Sequence, residues 1–137
     1  MPAAAETLDQ RIEHLAPHFI VRHPEGAQGR TPVVIMLHGC GGPRPLTEEM
    51  ADQAAAAGAT AIIVDSYAHR RISRVAALAT VCTGARLQGR ERAGDLYAAI
   101  AWARRQPWAD PDRIGAIGWK PFGAGDVVVS PRGATTT

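Results

Sequence analysis

Three short apolar runs set the limits on how this chain folds. They are Val33-Val-Ile-Met-Leu37, Ala59-Thr-Ala-Ile-Ile-Val64 and Ile114-Gly-Ala-Ile-Gly118. The runs do not alternate with polar residues, so each suits a strand covered on both faces, as at the centre of a parallel sheet. Parallel strands need a crossover rather than a hairpin. Between the first two runs lies a helical stretch. Thr47 reads as its N-cap, Glu48 and Glu49 suit the first turn, Ala51 to Ala57 continue it and Gly58 stops it. Strand, helix and strand within about 30 residues make a βαβ unit.

A second helix is predicted over Arg90 to Gln106. Ala93, Leu96, Tyr97, Ile100 and Ala101 are assigned to its apolar face, and Arg104 and Arg105 complement the dipole at its C-terminal end. Pro107-Trp-Ala-Asp-Pro111 ends it before the third strand, 114–118. At the N-terminal side, Leu8, Ile12 and Leu15 predict a short amphipathic helix and Phe19 to His23 a first strand. Residues 68–87 read less clearly. Ile72, Val75 and Leu78 have helical spacing, and Cys82-Thr-Gly84 looks like a loop. The order βαβ…αβ predicts an α/β fold with right-handed crossovers. Beyond Trp119 the patterning stops. Val127-Val-Val129 is the one apolar run before a small, polar ending, so residues 121–137 read as a divergent, disordered tail on a folded part, 1–120.

Composition removes several function classes. The 137 residues suffice for one domain, and 46% hydrophobic with 20% charged residues is a globular balance. Net charge is +2 and the arginines are dispersed, so no nucleic-acid partner is expected. No apolar run approaches the ~18–20 residues needed to span a bilayer. Met1 to Gln10 lacks the basic and apolar regions of a secretory signal. A cytoplasmic protein with Cys40 and Cys82 as free thiols is the default expectation, a single bridge between them being the alternative. There is no phosphate loop and no metal-ligand cluster, so neither cofactor nor metal is expected.

The order of motifs resembles the dienelactone hydrolase branch of the α/β-hydrolases. The matching pieces are Val33-Val-Ile-Met-Leu-His-Gly-Cys-Gly-Gly42, Ala61-Ile-Ile-Val-Asp-Ser-Tyr67, Gly89-Arg-Glu-Arg-Ala-Gly-Asp-Leu96 leading into Ala-Ile-Ala-Trp102, and Asp110-Pro-Asp-Arg-Ile-Gly-Ala-Ile-Gly-Trp119. The resemblance spans Phe19 to Trp119 and about the first half of a complete family domain. It implies a partial α/β-hydrolase fold: a mostly parallel sheet between helices in three layers, with the C-terminal half missing. The strand ending at Leu37 would lie between those ending at Val64 and Gly118. Ligands of such sheets bind outside the carboxyl ends of the strands. His38 to Gly42, Asp65 to Tyr67 and Trp119 to Gly123 would meet there, with Asp65, Tyr67 and Trp119 lining a cleft for a small ester or lactone.

Ester hydrolysis on this fold needs a nucleophile on a tight turn, a base, an orienting acid and two N–H donors for the oxyanion. The family pattern Gly-x-Ser-x-Gly puts the serine at position 120, where this chain has Lys120. A desolvated nucleophilic lysine is one reading, a surface lysine in a disrupted turn the other. Phe122 replaces the second glycine, and Gly123 comes one residue late. Pro121 biases Lys120 toward an extended backbone and offers no N–H to the oxyanion. Loss of one such donor costs on the order of 100- to 1000-fold in rate. The other donor would come from His38-Gly39-Cys40-Gly41, at Cys40 or Gly41 by resemblance. His38 is open to a base role or, as the family likeness favours, to shaping that loop. Cys40 could be an alternative nucleophile, Asp65 a turn cap or an acid, and His69 a cleft or loop residue. After position 120 the chain has Asp126 and no histidine.

Two functions follow as expectations. One is a truncated or frameshifted dienelactone-hydrolase-like protein, inactive as this chain. The other is a non-catalytic pseudo-hydrolase that binds a partner, including a homodimer formed through the exposed edge of strand 114–118.

Overall fold

The computed structural model describes residues 5–83, 85 and 89–119, together with the backbone of 127–130 and 133–136. Helix α1 (Leu8–Leu15) is followed by a 3-10 turn (Ala16–His18) and β1 (Ile20–Arg22). Then come β2 (Thr31–Leu37), α2 (Pro45–Ala56), β3 (Thr60–Val64), α3 (Arg74–Thr80), α4 (Gly89–Arg104) and β4 (Ala109–Gly118). Within the segment expected to be a tail, β5 (Val127–Ser130) pairs antiparallel with β6 (Gly133–Thr136).

The four-stranded sheet has the order β1-β3-β2-β4. Strand β2 runs parallel to both neighbours, and Leu37 is in register with Val64 on one side and Gly118 on the other. All three apolar runs therefore end on one line. β1 is antiparallel to β3, with Val21 opposite Ile62. β4 starts earlier than the sequence suggests. Thr31 N–H donates to Trp108 O at 2.9 Å, and Thr31 pairs with Ala109 before an irregularity resets the register at Val33 and Ile114.

Side-chain alternation sends the two faces of the sheet into separate cores. Val33, Ile35, Ile62, Val64, Ile114 and Ala116 pack under Ile12 and Leu15 of α1 and Leu96, Ala99 and Ala103 of α4. Met36, Ala61 and Ile63 pack on the opposite face against Ala51 of α2. The result is three layers, as expected. α1 is held at its start by a reciprocal cap, in which Thr7 Oγ1 accepts from Gln10 N–H and Gln10 Oε1 from Thr7 N–H.

Several local expectations are corrected. Helix α2 starts at Pro45, and Thr47 is its buried third residue rather than its cap. Proline suits the first helical position because its missing N–H would have no partner there. Tyr97 is 56% exposed, because the buried face of α4 runs through Asp95, Leu96, Ala99 and Ala103. Helix α3 is capped by Ser73, whose Oγ accepts from Ala76 N–H, and its buried residue is Ala77, while Val75 and Leu78 are exposed. Among the described residues no helix is long and apolar enough to cross a membrane.

One charge holds the α1–α4 layer together. Asp95 is fully buried and accepts a two-pronged bond from Arg70, 2.6 Å to Oδ2 and 2.8 Å to Oδ1. Arg11 of α1 donates to the same Oδ1 at 2.8 Å. A Cβ on Gly94 would lie 2.8 Å from Arg11 Cζ, so any larger residue there would displace the Arg11 guanidinium from its place beside Asp95. Burial alone would raise the Asp95 pKa, but Arg70, with Ser66 and Arg11 beside it, together outweigh burial and hold the carboxyl below its ordinary value. Removing one partner of a buried ion pair costs about 3–5 kcal/mol because the other charge is stranded. Asp95→Ala is expected to fall in that range in urea denaturation at pH 7. A loss under about 1 kcal/mol, the scale of an exposed pair, would show that Arg70 and Arg11 do not depend on it.

Candidate active site: the glycine loop at the sheet edge

The loop after β2 lies where the three parallel strands end. β4 reaches it through Trp119, whose N–H donates to Leu37 O at 3.2 Å. A Cβ on Gly39 would sit 3.3 Å from the Trp119 carbonyl oxygen, so residue 39 has little room for a side chain. Gly42 N–H closes the turn onto Gly39 O at 3.1 Å. Gly42 has φ +83°, a left-handed conformation suited to glycine, and a Cβ there would meet the Tyr67 ring at 3.3 Å. Gly39 to Gly42, Arg44, Leu46, Thr47 and Trp119 line an open cavity of about 160 Å³.

His38 belongs to the scaffold of this loop. It is 1% exposed and both ring nitrogens are engaged. Nε2 accepts from Ser66 N–H at 3.0 Å, which leaves Nδ1 to donate to Gly39 O at 2.7 Å. Burial, with Arg92 adding to it, lowers the pKa to about 4. A neutral imidazole with no free lone pair is a poor proton acceptor, so the structure favours the loop-shaping role over the base.

Asp65 accepts from Tyr67 N–H at 2.9 Å and Ala68 N–H at 3.1 Å, the geometry of a turn cap. That cap aims Tyr67 at the loop. The Tyr67 hydroxyl donates to Cys40 O at 2.6 Å, and its ring lies 4.5 Å from that of His38. His69 stacks on His14 of α1 at 5.7 Å. The cysteines are not free thiols: Cys40 is disulfide-bonded to Cys82, and the expectation is corrected. A nucleophilic role for Cys40 is excluded while that bond stands, since only a thiolate attacks. Lys120, Pro121, Phe122 and Asp126 lie outside the described residues.

The sequence reading assigned no role to Arg92. Its guanidinium reaches from α4 to donate to His38 O. Burial pulls its pKa below the ordinary arginine value. The available signal was its spacing: Arg92, Asp95, Leu96 and Ala99 recur at i, i+3, i+4 and i+7, so two charged residues occupy an otherwise buried face.

A four-stranded mixed sheet between helices, with a glycine loop beyond its central parallel strand, defines a protein of the α/β class. The dienelactone hydrolase family model matches residues 19–134, and the chain belongs to that family. A solved structure described as a putative dienelactone hydrolase, from Klebsiella pneumoniae subsp. pneumoniae, is similar in fold, with a TM-score of 0.62 at 20% identity. The match covers 74% of this chain and 43% of that one. No curated protein matches the sequence.

The lowered His38 pKa fixes a pH dependence. The unfolded imidazole binds a proton below about 6.5 and the folded one only below about 4. Folding is therefore favoured fully above pH 6.5, and that stability is lost as pH falls toward 4. The difference is on the order of 3 kcal/mol. His69, also lowered mainly by burial, acts in the same direction. Urea midpoints at pH 7 and 4.5 are expected to differ less for His38→Gln than for the unaltered chain. Equal differences would mean His38 is not held neutral.

Proposed function

We propose that residues 1–120 form the N-terminal, oxyanion-loop part of an ester or lactone hydrolase, and that this chain does not itself turn over substrate. Family membership supports the hydrolase reading. The observation that carries the inactivity is the exit from β4. The structure brings Trp119 against Gly39, and the sequence then continues Lys120-Pro121. The attacking side chain should stand at 120, and 121 should give an N–H to the developing oxyanion. A protonated lysine and an imino nitrogen provide neither.

The remaining half of the anion cradle is the loop at 39–41. Its peptides are held by Tyr67 at Cys40 O and by Arg92 at His38 O. Preorganised N–H groups of this kind act by stabilising charge as it develops, at no reorganisation cost. They lower a barrier only when a nucleophile is present. The family match runs on through residue 134, so the departure from the elbow pattern at 120–122 falls inside the matched region, and we attribute that departure to an altered reading frame. The other two frames of the coding DNA beyond Trp119 should then resume a small-residue elbow with an Asp and a His downstream; if neither does, that origin is wrong.

Purified chain is expected to hydrolyse p-nitrophenyl acetate no faster than an equal concentration of its Lys120→Ala variant. Turnover that Lys120→Ala abolishes would make Lys120 a nucleophile and overturn the reading.

A further inference from the structure

Residue 40 is fastened to one neighbouring segment by both of its ends. Its side chain is bonded to Cys82, just beyond α3, and its carbonyl accepts from Tyr67 at the start of the same excursion. The excursion leaves the sheet at Asp65. It is anchored early, by the Asp65 turn and by Arg70 on Asp95. Its later part is held more lightly. Ile72 and Ala77 pack on Tyr67 in a small cluster separate from both cores of the sheet. Val75 is 78% exposed and Leu78 52%, so α3 offers little other apolar surface to the body. Both cysteines are partly accessible to solvent.

We propose that the Cys40–Cys82 bond is a thiol-sensitive strap that fastens α3 and the glycine loop to each other, so that its reduction loosens the site without unfolding the sheet. The step is a thiol–disulfide exchange with a small dithiol. One dithiol thiolate attacks a sulfur of the bridge, the other cysteine leaves as a thiolate, and the second dithiol sulfur then resolves the mixed disulfide. Two electrons pass to the protein, which ends with two thiols after protonation, and the reagent ends as a cyclic disulfide. With the strap open, the apolar contacts that hold α3 among the described residues are those of Ala76 and Ala77, with Val81 beyond them, in the Tyr67–Ile72 cluster. Among the described residues Cys40 keeps the Tyr67 hydrogen bond, and the peptides at 39–41 lose their covalent reference. The inference concerns the same loop as the proposed function, but it does not require catalysis.

The test is amide hydrogen exchange read by mass spectrometry on the full chain, before and after treatment with dithiothreitol. Alkylation with iodoacetamide should first label no cysteine, and both after reduction. Exchange should then quicken about tenfold or more at 74–82, and measurably at 39–42, while β2 and β3 stay protected as parts of the global unit. A Cys40→Ser/Cys82→Ser variant should match the reduced protein without any reductant. Labelling before reduction would overturn the proposal. So would unchanged exchange at 74–82, a change at 74–82 that leaves 39–42 untouched, or a uniform rise that includes β2 and β3. Loss of ester turnover is not read at any stage, so failure here is distinct from failure of the hydrolase assignment.

Discussion

The structure depends on the pairing of β2 with a parallel neighbour on each side. That pairing satisfies the backbone of β2 in both directions and commits its side chains to two opposite faces. Val33 and Ile35 enter the core under α1 and α4, while Met36 enters the core under α2. A shift of register by one residue would exchange these sets and place each in the wrong layer. Because Val64, Leu37 and Gly118 are aligned, the segments that follow them have to meet beyond one edge. The site is thus a product of register before it is a product of any individual side chain.

At that edge the main task is to satisfy backbone groups that have left the sheet. Each carbonyl from 38 to 40 has a named donor: Arg92 at His38, the His38 ring and Gly42 N–H at Gly39, and Tyr67 at Cys40. An imidazole that serves as donor and acceptor within this frame is a structural element. Its low basicity follows from burial, with the Arg92 cation as a second cause. None of these bonds draws on residue 120, so the ordering of the loop is set without it.

The three parallel strands were legible in the sequence because parallel strands covered on both faces leave continuous apolar runs. The scaffold role of His38 and the capping role of Asp65 were also within reach, since each lies at the end of such a run. The Cys40–Cys82 pairing was not, because two cysteines 42 residues apart carry no local signal of proximity. The exposure of Tyr97 was misread for a different reason. Helical spacing identifies a stripe but not which stripe faces the body, and α4 turns toward the core a face that includes charged Asp95. The parts Arg92, Arg70 and Arg11 play are tertiary facts, set by what the fold brings near them.

The junction at Asp95 also bears on the order in which the molecule can be assembled. Arg11 and its acceptor are 84 positions apart, and Arg70 is 25 positions from the same carboxylate. Helix α1 is made well before α4, so its docking partner emerges only with the middle of that later helix. Until then Ile12 and Leu15 have no finished surface to cover. Helix α1 can therefore settle only after α4 has been made, and its apolar stripe stays open over the interval between them.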